Sequence, residues 1–214
     1  MGYIICTGQL ETGTQEQQAA FVRLFGPEQT REAFDFYFHW YNIAHEYGHC
    51  LCSHYDAEAL GLEQEGLVNR FAVSLWSCMG YEKELDDLQK LAGQVLQRLE
   101  DPVPEGVSFA DYYRQIWDTP ALMEVPVYGY FQFRSVQTAL ESRADLRDVL
   151  REMGVKEAAR PCTAPYKKYR FSAQTASEAL RDIRHFLRTL EIEQPDTEVM
   201  LTGDPAVQCV QWAG

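Results

Sequence analysis

The chain has 214 residues, enough for one domain of ordinary size or for one domain with a small appendage. Apolar residues make up 46% and aromatics 13%, so a sizeable core can be buried, which argues against global disorder. The net charge of -13 argues against a nucleic-acid partner, because a phosphate binder needs a basic stripe.

Residues 3 to 8 read as a short strand. Gln15 to Phe25 read as a helix with Ala19, Phe21, Val22, Leu24 and Phe25 on its apolar side, ended by Gly26-Pro27. From about Glu28 to His54, Phe34, Tyr37, Phe38, Tyr41, Ala44, His45, Gly48, His49 and Cys52 recur at helical spacing, which predicts one long helix. The aromatic run at 36 to 41 leaves a strand ending near Tyr41 as the alternative. Helices follow over Glu63 to Cys78, over Glu82 to Leu99, and from Ser108 through Trp117, with Asp111 in the reciprocal capping position. Pro126 opens a long helix that reaches about Met153-Gly154. Arg160 to Pro165 read as a linker, Tyr166 to Phe171 as a strand, and Ser172 to about Leu190 as a helix. Strand-like runs at 198 to 202 and 206 to 212 flank a turn at Gly203-Asp-Pro205.

The chain carries no apolar run of about eighteen residues, so no membrane span is expected. Met1-Gly-Tyr-Ile-Ile-Cys lacks the basic start of a secretory signal. Cys6, Cys50, Cys52, Cys78, Cys162 and Cys209 form no C-x-x-C pair. Reduced thiols in a cytoplasm are the expectation. The basic cluster Lys167-Lys168-Tyr-Arg170 reads as a solvated strand or loop.

The chemistry concentrates in His45-Glu-Tyr-Gly-His49, an H-E-x-x-H pattern. Residues four apart share one helix face, so both imidazoles can reach one metal ion, and zinc suits nitrogen and oxygen donors. Glu46 projects beside such a metal, where a carboxylate can take a proton from a water and pass it to a leaving amine. The flanking apolar residues make three buried polar side chains costly unless something satisfies them. Gly48 permits close approach of another backbone or of a substrate. Glu65 can complete a His-His-Glu set, with Glu63 as second choice. Asn69 shares the face of Glu65 and can orient a ligand histidine.

These motifs, His45-Glu-Tyr-Gly-His49 followed by Glu65-x-x-Val-Asn69-Arg-Phe71-Ala72-x-x-Leu75, resemble the gluzincin-type zinc metallopeptidases and are most similar to the ImmA/IrrE group. The resemblance covers about residues 42 to 76. It implies that His45, His49 and Glu65 bind Zn2+ and that Glu46 is the general base. Val68 replaces the family's usual alanine and Trp76 a common leucine. That group includes cytoplasmic bacterial and phage-associated proteases that cut repressors.

Other candidates have simpler roles. His54 reads as a helix-end residue, Cys50 and Cys52 as small core residues, His39 as a satisfied core histidine, and His185 as exposed. For the oxyanion that peptide hydrolysis generates, Val127-Tyr-Gly-Tyr-Phe-Gln-Phe-Arg134 offers donors, with Tyr130 first and Tyr128 behind it.

The expected fold class is therefore mainly α (α+β). A zincin-like helical core surrounds the H-E-x-x-H helix, with a small sheet and a C-terminal α/β appendage. Residues 1–159 form the metallopeptidase domain and 160–214 the appendage, packed on the same core or beside it. The expected function is peptide-bond hydrolysis by a zinc-activated water on a peptide or protein substrate. The alternative is a non-catalytic, zinc-stabilised protein-binding or regulatory protein on the same scaffold.

Overall fold

The computed structural model describes residues 2–161, 164 and 166–213, without the side chains of Met123 and Val125. The protein is mainly helical with a three-stranded sheet. Among the described residues no helix is long and apolar enough to cross a membrane.

Strand β1 (Gly2–Gly8) occupies the centre of the sheet. Strand β2 (Asp196–Thr202) runs parallel to it on one side, and β3 (Gln208–Ala213) runs antiparallel on the other. Ile5 is in register with Val199 and with Val210, so the central strand is paired along both edges. Because β1 lies between two C-terminal strands, residues beyond 160 share a sheet with the first eight. Helix α9 (Ala173–Thr189) adds Ala176, Ile183 and Leu187 to the same buried core that holds Phe34 and Leu51.

Helix α1 (Gln15–Phe25) starts at a capping box. Thr14 Oγ1 accepts from the Gln17 amide at 3.2 Å, and the Gln17 side chain accepts from the Thr14 amide at 2.9 Å. Gly26, at φ +87°, ends the helix.

The long helix expected from 28 to 54 is an unbroken helical run with a change of pitch: α2 (Thr30–Phe36), a π-helical turn over Tyr37–Tyr41, and α3 (Asn42–His54). The strand alternative does not occur. From Ala33 to Cys52, only Phe38 and His49 are not fully buried, so the run is core on every side. The π-turn takes up an extra residue and rotates the faces before and after it relative to one another. His39 lies in that turn and is a satisfied core histidine. Its Nδ1 pairs with Asp35 Oδ1 and its Nε2 with the Gly8 carbonyl, both at 2.9 Å, which ties the turn to β1.

Helix α4 (Leu62–Cys78) packs on α3. A Cβ added at Gly48 would lie 3.0 Å from Val68 Cβ and 3.1 Å from Phe71 Cδ1. The glycine therefore serves the close approach of two helices. Helix α5 (Glu82–Arg98) buries Leu85, Leu88, Ala92 and Val95. Helix α6 (Phe109–Ile116) begins at Ser108, whose Oγ accepts from the Asp111 amide at 3.1 Å.

Two expectations need correction. The helix from Pro126 to Met153-Gly154 is two helices, α7 (Val125–Ser142) and α8 (Leu146–Glu152). Arg143 takes a left-handed conformation at φ +44°, and Asp145 caps α8 by accepting from the Arg147 amide at 2.9 Å. The segment Tyr166–Phe171 is not a strand. Side chains hold it instead: Tyr169 Oη donates to Asp182 Oδ2 at 2.7 Å, the Tyr169 ring stacks on Tyr81, and Phe171 packs edge-on against Trp40. Its strand-like aromatic content serves the core. The linker expected at Arg160–Pro165 includes Cys162, Thr163 and Pro165, which lie outside the described residues.

Candidate metal centre

Helix α3 presents His45 and His49 one turn apart, and α4 brings Glu65 across from them from its first turn. Among the described residues, these three form the one His/Cys/Asp/Glu group able to hold a metal ion. The two Nε2 atoms are 3.3 Å apart. His45 Nε2 lies 3.4 Å from Glu65 Oε2, and His49 Nε2 lies 3.4 Å from Glu65 Oε1. Donors held about 2.0–2.2 Å from a tetrahedral zinc are separated by about 3.3–3.5 Å. The two Nε2 atoms already have that separation, and one donor atom from each of the three residues lies within 4.8 Å of the others.

The hydrogen bonds behind the triangle fix which ring nitrogens carry protons. His45 Nδ1 meets Asn69 Oδ1 at 3.0 Å. The amide of Asn69 is oriented by its own donation to the Glu65 carbonyl at 3.0 Å, and Tyr41 Oη also donates to Asn69 Oδ1 at 2.9 Å. His49 Nδ1 meets Gln64 Oε1 at 2.9 Å, and Gln64 donates to the Ala59 carbonyl at 2.9 Å. Both Nδ1 atoms therefore face acceptors and are the N–H donors, so neutral rings turn their Nε2 lone pairs toward each other. A proton or a cation between them removes that conflict. Among the described residues Glu65 Oε2 is buried with no hydrogen-bond partner, a second polar atom that a cation would satisfy. On both counts the donor set fits a metal.

The electrostatics agree. Burial opposes the imidazolium of His49, but hydrogen bonds and charge from Glu65, with the charge of Glu46, outweigh it and push its pKa up to about 9. Burial likewise opposes the Glu65 carboxylate, yet the two histidines hold it well below the usual carboxylate range.

Glu46 is buried beside the triad and accepts from Asn42 Nδ2 at 3.0 Å through Oε1. It lines a cavity of about 280 Å³ together with His45, His49, Glu65, Tyr128, Gln208, Cys209 and Val210. The far side of this cavity is thus α7 and β3. The cavity-lining stretch of β3 contains Cys209, in register with buried Cys6 on β1.

Tyr130 is not at this site. It lines a separate cavity with Asp101 and Arg134, whereas Tyr128 lines the cavity of the triad. Residues two apart on a helix point in nearly opposite directions, so α7 can offer only one of them. Desolvation, then the charges of Glu65 and Glu46, hold the Tyr128 phenol above its ordinary pKa, and its oxygen accepts from Gln132 Nε2 at 3.0 Å. Glu63 is exposed, His54 ends α3, and His185 is exposed on α9. Motif spacing does not single out Gln64, Asn42, Tyr41 or the β3 residues. Tyr41 and Asn42 still carry a readable signal, lying four residues before His45 and Glu46 on the same faces.

Comparison with family models, curated proteins and solved structures returns no match, so the chemistry of this site stands on its own residues.

Proposed function

We propose that the protein is a zinc-dependent metallopeptidase of gluzincin type, resembling the ImmA/IrrE group, that works in a cytoplasm on a peptide or protein substrate. One observation carries the reading: a His-His-Glu cluster whose donor atoms lie within 4.8 Å of one another, with a buried carboxylate, Glu46, at its side. His45, His49 and Glu65 would hold the metal. Zinc bound there supplies Lewis acidity and lowers the pKa of a water to near 7.

The remaining chemistry belongs to the chain. Glu46 removes the proton from the attacking water and delivers it to the leaving amine. Asn42 holds one of its oxygens, which leaves the other for that proton. Asn69 and Gln64 fix the two histidine tautomers so that both Nε2 atoms face inward. Tyr128, in place of Tyr130, donates a hydrogen bond to the carbonyl oxygen as it becomes anionic. Its raised pKa keeps that donor proton in place at neutral pH.

Elemental analysis of purified protein tests the first half of the proposal, with about one zinc per chain expected. Glu65→Ala should lose most of that metal. Glu46→Gln tests the second half: it should keep the zinc while peptide hydrolysis falls about 10²–10⁴-fold. Full hydrolysis by Glu46→Gln would remove Glu46 as the general base, and zinc binding with no hydrolysis by the wild type would leave a metal-stabilised binding protein. Absence of zinc after reconstitution would end the reading altogether.

A further inference from the structure

A second cavity of about 610 Å³ adjoins the metal centre. It shares two residues with the first, Glu65 and Tyr128, and is otherwise lined by Trp117, Asp118, Thr119, Pro120, Leu122, Phe131 and Gln132. From these shared walls we infer that this cavity is the specificity pocket of the proposed peptidase, and that it takes a bulky apolar side chain of the residue adjoining the scissile bond.

The inference rests on the metallopeptidase reading and adds to it a substrate class. Leu122 and Phe131 are buried at the pocket floor and belong, with Tyr113, to a small apolar cluster separate from the main core. That cluster is assembled by α6, α7 and the turn at 119–123, outside residues 42 to 76. Trp117 forms a wall and packs against Phe131 at 5.8 Å between ring centroids. It also lies against the start of α4: a Cβ added at Gly61 would fall 3.1 Å from Trp117 Nε1. Gly61, at φ +54°, is the residue from which α4 sets out toward Glu65. The indole is thus packed at the N-terminus of the helix that carries the metal-binding carboxylate. A carbonyl held at the triad would have a neighbouring side chain within reach of this pocket, because Glu65 and Tyr128 belong to both spaces. Rings and a leucine reward apolar burial, the volume is that of a small-ligand pocket, and Asp118 at the rim disfavours an acidic side chain.

The test uses the zinc-reconstituted full chain and three metal-chelating probes: acetohydroxamate, N-acetyl-alanine hydroxamate and N-acetyl-phenylalanine hydroxamate. Calorimetric titration should show the phenylalanine probe binding at least tenfold more tightly than the alanine probe. In Trp117→Ala that ratio should fall toward one, while acetohydroxamate binds as in the wild type. Thr119→Trp, which fills the pocket from its rim, should abolish the preference as well and serves if Trp117→Ala does not fold. Equal binding of the two amino-acid probes by the wild type, with acetohydroxamate still bound, would overturn the pocket assignment and leave the metal centre intact. A preference that survives both substitutions would overturn it too. Failure of zinc and of acetohydroxamate to bind would instead overturn the metallopeptidase reading, and the pocket's role with it.

Discussion

The two walls of the cavity at the His-His-Glu cluster are built differently. The wall made by α3 and α4 is nearly closed to solvent: His45 is 4% exposed and Glu46 7%, and Asn69 is fully buried. Each ring nitrogen that faces away from the cavity is tied to an amide, and each amide is tied in turn to backbone. The facing wall, from α7 and β3, is loose. Tyr128 is 44% exposed, and among the described residues its hydroxyl meets only the side chain of Gln132. A buried polar network is rigid when complete and costly when one member is removed. The closed wall is therefore suited to holding an ion in fixed geometry, and the open wall to meeting whatever enters. Substitutions on the two walls should fail in different ways.

The largest expected effect is on the closed wall. Asn69→Ala takes the acceptor from two buried donors at once, the Tyr41 hydroxyl and His45 Nδ1. Each orphaned donor costs about 1–3 kcal/mol, so denaturant unfolding should show a loss of about 2–6 kcal/mol. Zinc affinity should fall about 10–100-fold besides. Tyr128→Phe on the open wall should do the reverse. Stability should stay within about 0.5 kcal/mol of wild type, as for a surface substitution. Zinc content should be unchanged, while kcat on a peptide substrate falls about 10²-fold for a lost oxyanion donor. If Tyr128→Phe lost metal or stability instead, the contrast between the walls would be wrong. Gln64→Ala sharpens it further, because His49 is the more exposed of the two histidines, at 20% of its side chain against 4% for His45. Its support should matter less than that of Asn69, with zinc affinity down about tenfold and unfolding little changed.

The closed wall is largely legible in the sequence. His45, Glu46 and His49 follow from spacing on one helix; on the next, spacing puts Glu65 and Asn69 on one face and leaves Glu63 as an alternative, and the resemblance is what favours Glu65. Gln64 escapes that logic because it neighbours Glu65 in sequence and points elsewhere. Its role depends on which way the His49 ring turns. Tyr41 lies one turn before His45 by the same rule, but spacing does not say that its hydroxyl reaches Asn69 on the next helix. The open wall is hardly legible. Tyr128 and Tyr130 are chemically alike, and only the phase of α7 chooses between them. Gln208, Cys209 and Val210 reach the cavity through the pairing of residue 6 with residue 209, a contact that no local pattern encodes. The break at Arg143 carries neither glycine nor proline, and the cap at Asp145 is its only sequence mark.

The finest contrast is between the protonation of the site and its metal. Burial opposes a charge on His49, but Glu65 and Glu46 outweigh it and push its metal-free pKa up from an ordinary 6.5 to about 9. A histidine must lose its proton to ligate, so zinc competes with that proton. Apparent zinc affinity should then rise about tenfold per pH unit from pH 7 and flatten near pH 9, where the proton has already left. The metal-free fold should show the opposite trend. A raised pKa stabilises the folded state fully below 6.5, and that contribution is lost as pH climbs through 9. The depressed carboxyl of Glu65 limits the gain on the acid side, where its contribution is lost as pH falls below its ordinary 4.5. Stripped protein should therefore be stabilised by this cluster most between about pH 4.5 and 6.5, and zinc-loaded protein should gain most from its metal near pH 9. Thermal melts of the two forms across that range separate the effects. A stripped form whose stability did not decline between pH 6.5 and 9 would mean that the closed wall holds its histidines neutral by geometry alone, without the paired charge.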